Sequence, residues 1–109
     1  VEDRHAILFD DIIDTGGTIA AASRALIERG AKSVSVAATH GIFSDESVEK
    51  LKDTPIEEIV VTDTLKQNGN IEKIGNVNIL SVSSIIATAL TSIFADDSVS
   101  AIFMGENVL

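Results

Sequence analysis

Ile7-Leu8-Phe9-Asp10-Asp11-Ile12-Ile13-Asp14-Thr15-Gly16-Gly17-Thr18 is the stretch on which the fold turns. Ala6 to Phe9 is an apolar run of strand type, and it is expected to stop at Asp10 and Asp11. A loop holding Asp14, Thr15, Gly16 and Gly17 comes next. From Thr18 to Arg29 the apolar residues Ile19, Ala22, Leu26 and Ile27 recur at helical spacing. Gly30 stands where a glycine just past a helix belongs. A buried strand, a glycine turn and a helix in that order are the start of an α/β unit.

The loop has the parts of a phosphate cradle. Paired glycines let a ligand approach the main chain with no Cβ in the way. The first turn of the following helix presents N–H groups that have no partner within the helix, at the positive end of its dipole. Thr15 and Thr18 add hydroxyl donors, so a phosphoryl group could be held without Lys or Arg. Asp10 and Asp11 are acceptors suited to a vicinal diol such as that of ribose. They could also act through Mg²⁺, which prefers oxygen ligands and keeps several of its waters. A Gly-Gly pair after a strand also serves as a plain tight turn. The apolar strand before it, the acids and the helix after it favour the ligand site. The stretch lacks the Gly-Lys-Ser/Thr ending of a Walker loop and the spacing of a dinucleotide fingerprint.

The same alternation continues along the chain. Ser33 to Ala38 reads as a second strand ended by Thr39-His40-Gly41, and Asp45 to Lys52 as an amphipathic helix with Ser44 or Asp45 as its cap. Pro55, the sole proline, follows as a stop. Ile59 to Thr62 is a third strand closed by Asp63, and Lys66 to Gly75 is polar and reads as a loop. Val77 to Val82 is a fourth strand, and Ser84 to Ala95 a helix with Ile85, Ala89 and Ile93 on one face. The tail from Val99 to Leu109 reads as an edge strand or a docked segment. The expected fold is α/β, a mostly parallel sheet with helices on both faces. Ligands in such sheets bind at the carboxyl ends of the strands. Those ends carry Asp10, Asp11, Thr39, His40, Thr62, Asp63 and the Ser81 to Ser84 run.

Composition bounds the partners. The chain has 109 residues, so it is one domain or part of one. Its formal net charge of −9 disfavours nucleic acid and anionic membranes, whose recognition draws on Lys and Arg. Cysteine is absent, which removes disulfides and thiolate metal sites and suits the cytoplasm. No apolar run reaches the length of a membrane span. The chain opens at Val1 almost directly on a strand, which suggests a piece of a longer protein.

The stretch Ile7 to Ile19 resembles the phosphoribosyl-diphosphate motif of the type I phosphoribosyltransferase fold. Three further stretches resemble the ribose-phosphate pyrophosphokinase family in particular: Ala38-Thr39-His40-Gly41-Ile42-Phe43-Ser44, Val60-Val61-Thr62-Asp63-Thr64 and Ser98-Val99-Ser100-Ala101-Ile102-Phe103. The likeness runs in order along nearly the whole chain, as a C-terminal part covering residues 1–109. It implies transfer of the β,γ-diphosphoryl group of ATP to ribose 5-phosphate, with Mg²⁺, releasing AMP. It places Asp10 and Asp11 on the ribose side, with an indirect metal role, and Asp14, Thr15, Gly16, Gly17 and Thr18 on the 5-phosphate. The family's ATP-binding region, metal-binding His and Asp and basic flexible loop lie upstream of this stretch. The chain alone is therefore expected to bind ribose phosphate weakly and not to catalyse.

Two alternatives stand beside this reading. One is a phosphoribosyltransferase acting on a nucleobase, which needs a hood over the base that this chain does not supply. The other is a non-catalytic regulatory homologue. The tail residues Ser98, Ser100 and Phe103 match only a short regulatory pattern. A sheet truncated on one side is expected to self-associate or to contact the missing N-terminal portion. His40 reads as a turn histidine bonded to backbone, His5 as a surface residue and Asp63 as a strand end. Asp96-Asp97 reads as a solvated loop, and the Ser81 to Ser84 run as a cap for the last helix.

Overall fold

Period-two burial along Val34, Val36 and Ala38, matched by Ile59 and Val61 on the neighbouring strand, builds the centre of a parallel sheet. The structure, a computed structural model, describes residues 1–95. Its elements are β1 (His5–Ile13), α1 (Gly17–Glu28), β2 (Ser33–Gly41) and α2 (Asp45–Lys52), followed by β3 (Glu58–Thr62), α3 (Asn70–Ile74), β4 (Val77–Leu80) and α4 (Ser83–Phe94). The strands lie in the order β1-β2-β3-β4 and every pair is parallel. The α/β class and the parallel sheet are as expected from the sequence.

Several expectations about element bounds change, among them that β2 runs to Gly41 rather than ending at Ala38. β1 does not stop at the aspartates. Asp10 pairs with Ala38, Ile12 with His40 and Ile13 with Gly41, so the ladder with β2 carries the strand past both acids. Lys66 to Gly75 is not all loop, because α3 occupies Asn70–Ile74. Gly75 closes that helix at φ 98, a left-handed angle that favours glycine, and its N–H donates to the Ile71 carbonyl at 3.0 Å. β4 ends at Leu80 rather than Val82.

One core joins the sheet to α1, α2 and α3. Ile19 and Ala20 of α1, Leu51 of α2 and Ile74 of α3 meet Val36, Ala38, Ile59 and Val61. Phe43 is fully buried among them. Beyond α1, Gly30 takes φ 95, and the Arg29, Gly30 and Ala31 amides return to the carbonyls of Ala25, Ile27 and Leu26.

The helices that pack do so on one face. The other face shows Ile7 at 59% and Phe9 at 79% exposure, with Leu80 also exposed. A groove of about 420 Å³ runs along it, lined by Phe9, Ala37, Val60 and Leu80 among others. The expectation of helices on both faces is thus met on one face among the described residues. α4 lies against no other described element, and Ile86, Leu90 and Ile93 on it face solvent. Asp96-Asp97 and the tail from Val99 to Leu109 lie outside the described residues. Among the described residues no helix is long and apolar enough to cross a membrane.

Candidate phosphate-binding site

The turn from β1 to α1 is shaped by what lies beneath it. Gly16 is the N-cap of α1 at φ 80, and a Cβ there would come within 2.7 Å of the Leu51 Cγ. Leu51 is almost wholly buried, so α2 presses directly on the turn. A strap of main chain from Ile42 to Ser44 holds the loop from the other side. The amides of Ile42 and Phe43 donate to the Ile13 carbonyl at 2.8 and 3.1 Å. The Ser44 amide and hydroxyl donate to the Asp14 carbonyl at 3.0 and 3.2 Å. Ser44 is the residue preceding α2, as expected, yet its hydroxyl serves the loop and makes no cap bond to its own helix.

These constraints leave the start of α1 open. The helix has no side-chain cap. The Ala20 amide makes the first bond, to the Gly16 carbonyl at 2.8 Å, and the Gly17 amide meets the Thr15 hydroxyl only at 3.5 Å. The amides of Thr18 and Ile19 have no protein acceptor among the described residues. Both residues line a cleft of about 180 Å³, together with Asp10, Ile12, Asp14, Thr15, Gly16 and Gly17. That is smaller than the roughly 300–1,000 Å³ of a complete small-molecule pocket. It fits a fragment such as a phosphoryl group with part of a sugar.

The two neighbouring acids part company. Asp10 lines the cleft and Asp11 does not. Asp10 also borders the groove on the uncovered face, and its Oδ1 accepts the Asp11 amide at 2.7 Å. Asp14, Thr15, Gly16, Gly17 and Thr18 come together in the cleft.

Other residues singled out in the sequence lie at the neighbouring strand ends. His40 is in β2, not in a turn, and its Nδ1 lies 2.7 Å from the Thr64 hydroxyl rather than bonding backbone. His5 is exposed and pairs with the Ser33 hydroxyl. Asp63 Oδ1 accepts the Val82 amide at 2.9 Å. That bond, helped by the Ser81 hydroxyl, holds the Asp63 carboxyl below its ordinary pKa. Asp63 thus ties the end of β3 to the start of α4. Ser81 accepts the Ser83 amide at 3.3 Å, but the N-cap of α4 is Val82 and the helix has no side-chain cap, so the serine run does not cap it as expected.

Sequence reasoning overlooked Lys50. Its Nζ lies 3.4 Å from where a Gly17 Cβ would stand, although 33 residues separate the two along the chain (50 minus 17). No local pattern signals this contact, because it depends on how α2 docks against α1.

A parallel sheet whose first strand feeds a glycine turn and a bare helix start defines an α/β protein with an open cleft at that helix start. Comparison with known proteins narrows the class. The chain belongs to the family described as the phosphoribosyl synthetase-associated domain, whose profile matches residues 1–104. It is 47% identical over 103 residues to a ribose-phosphate pyrophosphokinase of Haemophilus influenzae, a match covering 94% of this chain and 33% of that protein. A Corynebacterium glutamicum protein of the same description is 44% identical over 106 residues, covering 97% of this chain and 32% of the relative. Among solved structures, phosphoribosylpyrophosphate synthetase from Mycobacterium smegmatis superposes with a TM-score of 0.79 at 39% identity. That match covers 88% of this chain and 32% of the other. The chain thus spans about a third of the length of these relatives.

Proposed function

We propose that residues 1–109 form the ribose 5-phosphate-binding portion of a ribose-phosphate diphosphokinase. In that reaction the O1 hydroxyl of ribose 5-phosphate attacks the β-phosphorus of ATP. The bond from that phosphorus to the bridging oxygen of AMP breaks, AMP leaves, and the hydroxyl proton is lost to a base. The observation that carries the proposal is the open cleft at the start of α1, with the free amides of Thr18 and Ile19 beside Gly16 and Gly17. Asp14, Thr15 and Thr18 surround the 5-phosphate in this reading, while Asp10 accepts from the ribose hydroxyls. Asp11, which does not line the cleft, acts on the sugar only indirectly. Such a transfer depends chiefly on positioning and charge neutralisation.

Mg²⁺, when bound, would neutralise charge on the transferring diphosphoryl group. The described residues hold no cluster of three or more acidic or histidine groups suited to a metal ion. Asp10 and Asp14 line one cleft and fit an ion that takes one or two carboxylates, several waters and substrate phosphate oxygens. ATP and a catalytic base belong, in this reading, to the rest of a longer protein. The uncovered face with Ile7, Phe9 and Leu80 is where that remainder, or a second copy, would dock. The acidic, cysteine-free composition suits a cytoplasmic setting.

The test is a pair of measurements on the chain. Calorimetric titration is expected to show weak binding of ribose 5-phosphate and none of ribose at the same concentrations. Incubation with ATP, Mg²⁺ and ribose 5-phosphate is expected to release no AMP above background. Equal binding of ribose and ribose 5-phosphate would remove the phosphate cradle from consideration. Robust AMP release would show that the chemistry needs no further residues.

A further inference from the structure

We infer that Lys50 is the cationic side chain that grips the phosphoryl group over Gly17. The inference rests on the proposed phosphate site and adds to it a residue from a different element. The space left by the missing Cβ of Gly17 is bounded by the Lys50 Nζ at 3.4 Å, the Lys50 Cδ at 3.7 Å and the Thr15 Oγ1 at 3.8 Å. Two hydrogen-bond donors therefore converge where glycine leaves the main chain bare. Gly17 and Thr15 line the cleft and Lys50 stands just outside its lining, so the ammonium reaches a phosphoryl oxygen seated against Gly17 by leaving Glu46 and swinging its stem.

Lys50 is free to move and its backbone is not. Its ammonium donates to Glu46 Oε2 at 3.4 Å, an i,i+4 pair with side chains 45% and 67% exposed. A pair so open to water is weak and readily exchanged for a better partner. The next residue, Leu51, is packed against Gly16, and the Thr54 hydroxyl donates to the Lys50 carbonyl. The last turn of α2 is thereby fixed against the loop, and only the four-carbon stem has to swing. A phosphate monoester bears close to two negative charges near neutrality. Main-chain amides and the helix dipole offer only partial charges in return. A whole positive charge at this point also relieves the repulsion expected within a chain of net charge −9. No other Lys or Arg is among the atoms nearest to Gly16 or Gly17.

Titration of ribose 5-phosphate into the wild-type chain, Lys50→Gln, Lys50→Arg and Glu46→Gln, at two salt concentrations, tests this. Lys50→Gln is expected to weaken binding by about three- to tenfold and to flatten its salt dependence, as for loss of one charge-assisted bond. Lys50→Arg should hold affinity within about threefold of wild type, because it restores the charge but not the ammonium's shape. Glu46→Gln should bind at least as tightly as wild type, since it releases the amine. Thermal melts of each variant should coincide, as these side chains are exposed. Wild-type binding with an unchanged Lys50→Gln affinity overturns the inference and leaves the site standing. Failure of every protein, wild type included, to bind overturns both.

Discussion

Replacing Phe43 with alanine is expected to lower the stability of the chain by about 3–5 kcal/mol, the range for emptying a buried aromatic site. Phe43 has no exposed surface and is the largest fully buried side chain among the described residues. Its ring lies 2.5 Å from the Cβ position of Gly41, and Val61 closes the same space at 3.2 Å. Backbone adjustment cannot readily refill the cavity. The main chain at residue 43 is itself pinned, with its amide on the Ile13 carbonyl and its carbonyl accepting the Asn70 side-chain amide at 2.8 Å. The residue holds φ 50, a left-handed angle that costs alanine as much as phenylalanine, so no relief comes from the backbone. Urea denaturation at fixed protein concentration measures the effect as a shift in midpoint. A loss under about 1 kcal/mol would mean that the ring is not the anchor of the 42–44 strap. Because that strap holds the Asp14 carbonyl, affinity for ribose 5-phosphate should fall together with stability.

Gly17→Ala should separate the two. Unlike Gly16, Gly17 does not take a left-handed angle, and its Cβ would meet only the flexible end of Lys50 at 3.4 Å and the Thr15 hydroxyl at 3.8 Å. Alanine is also favoured over glycine in a helix, by about 0.5–1 kcal/mol in its interior. Stability is therefore expected to hold or rise slightly. Binding should move the other way, because the new methyl occupies the space where the phosphoryl oxygens meet Lys50 and Thr15. A loss of at least about tenfold in ribose 5-phosphate affinity, roughly 1.4 kcal/mol, is expected by titration. Unchanged affinity would place the phosphate elsewhere. A large loss of stability would show instead that Gly17 is needed for folding.

The sequence carried the layout of the site further than its geometry. The turn could be read because its parts are contiguous: strand, glycines, helix start. The course of β1 could not, since aspartate is a poor strand former and Asp10-Asp11 looks like a stop. The ladder to Gly41 of β2 overrides that local preference. Running the strand through both acids leaves Asp10 in the cleft and Asp11 outside it, which splits a pair that reads as one feature in the sequence. α3 escaped notice because Lys66 to Gly75 is polar and bounded by glycines. Those glycines mark its ends, and only Ile71 and Ile74 carry a helical apolar pattern. The amphipathic spacing of α1 and α2 announced helices without saying which side of the sheet they would cover. Lys50 was invisible for the same reason, because its place beside Gly17 is set by long-range packing.

An uncovered sheet face has a thermodynamic signature. Unfolding raises heat capacity mainly by wetting apolar surface that was dry. Among the described residues, Ile7, Phe9 and Leu80 are wet before unfolding begins. The heat-capacity increment should therefore fall short of the roughly 1.2–1.5 kcal/mol/K typical of a 100-residue domain. Its free-energy curve against temperature should be correspondingly shallow, and calorimetric scans of dilute protein would register the difference directly.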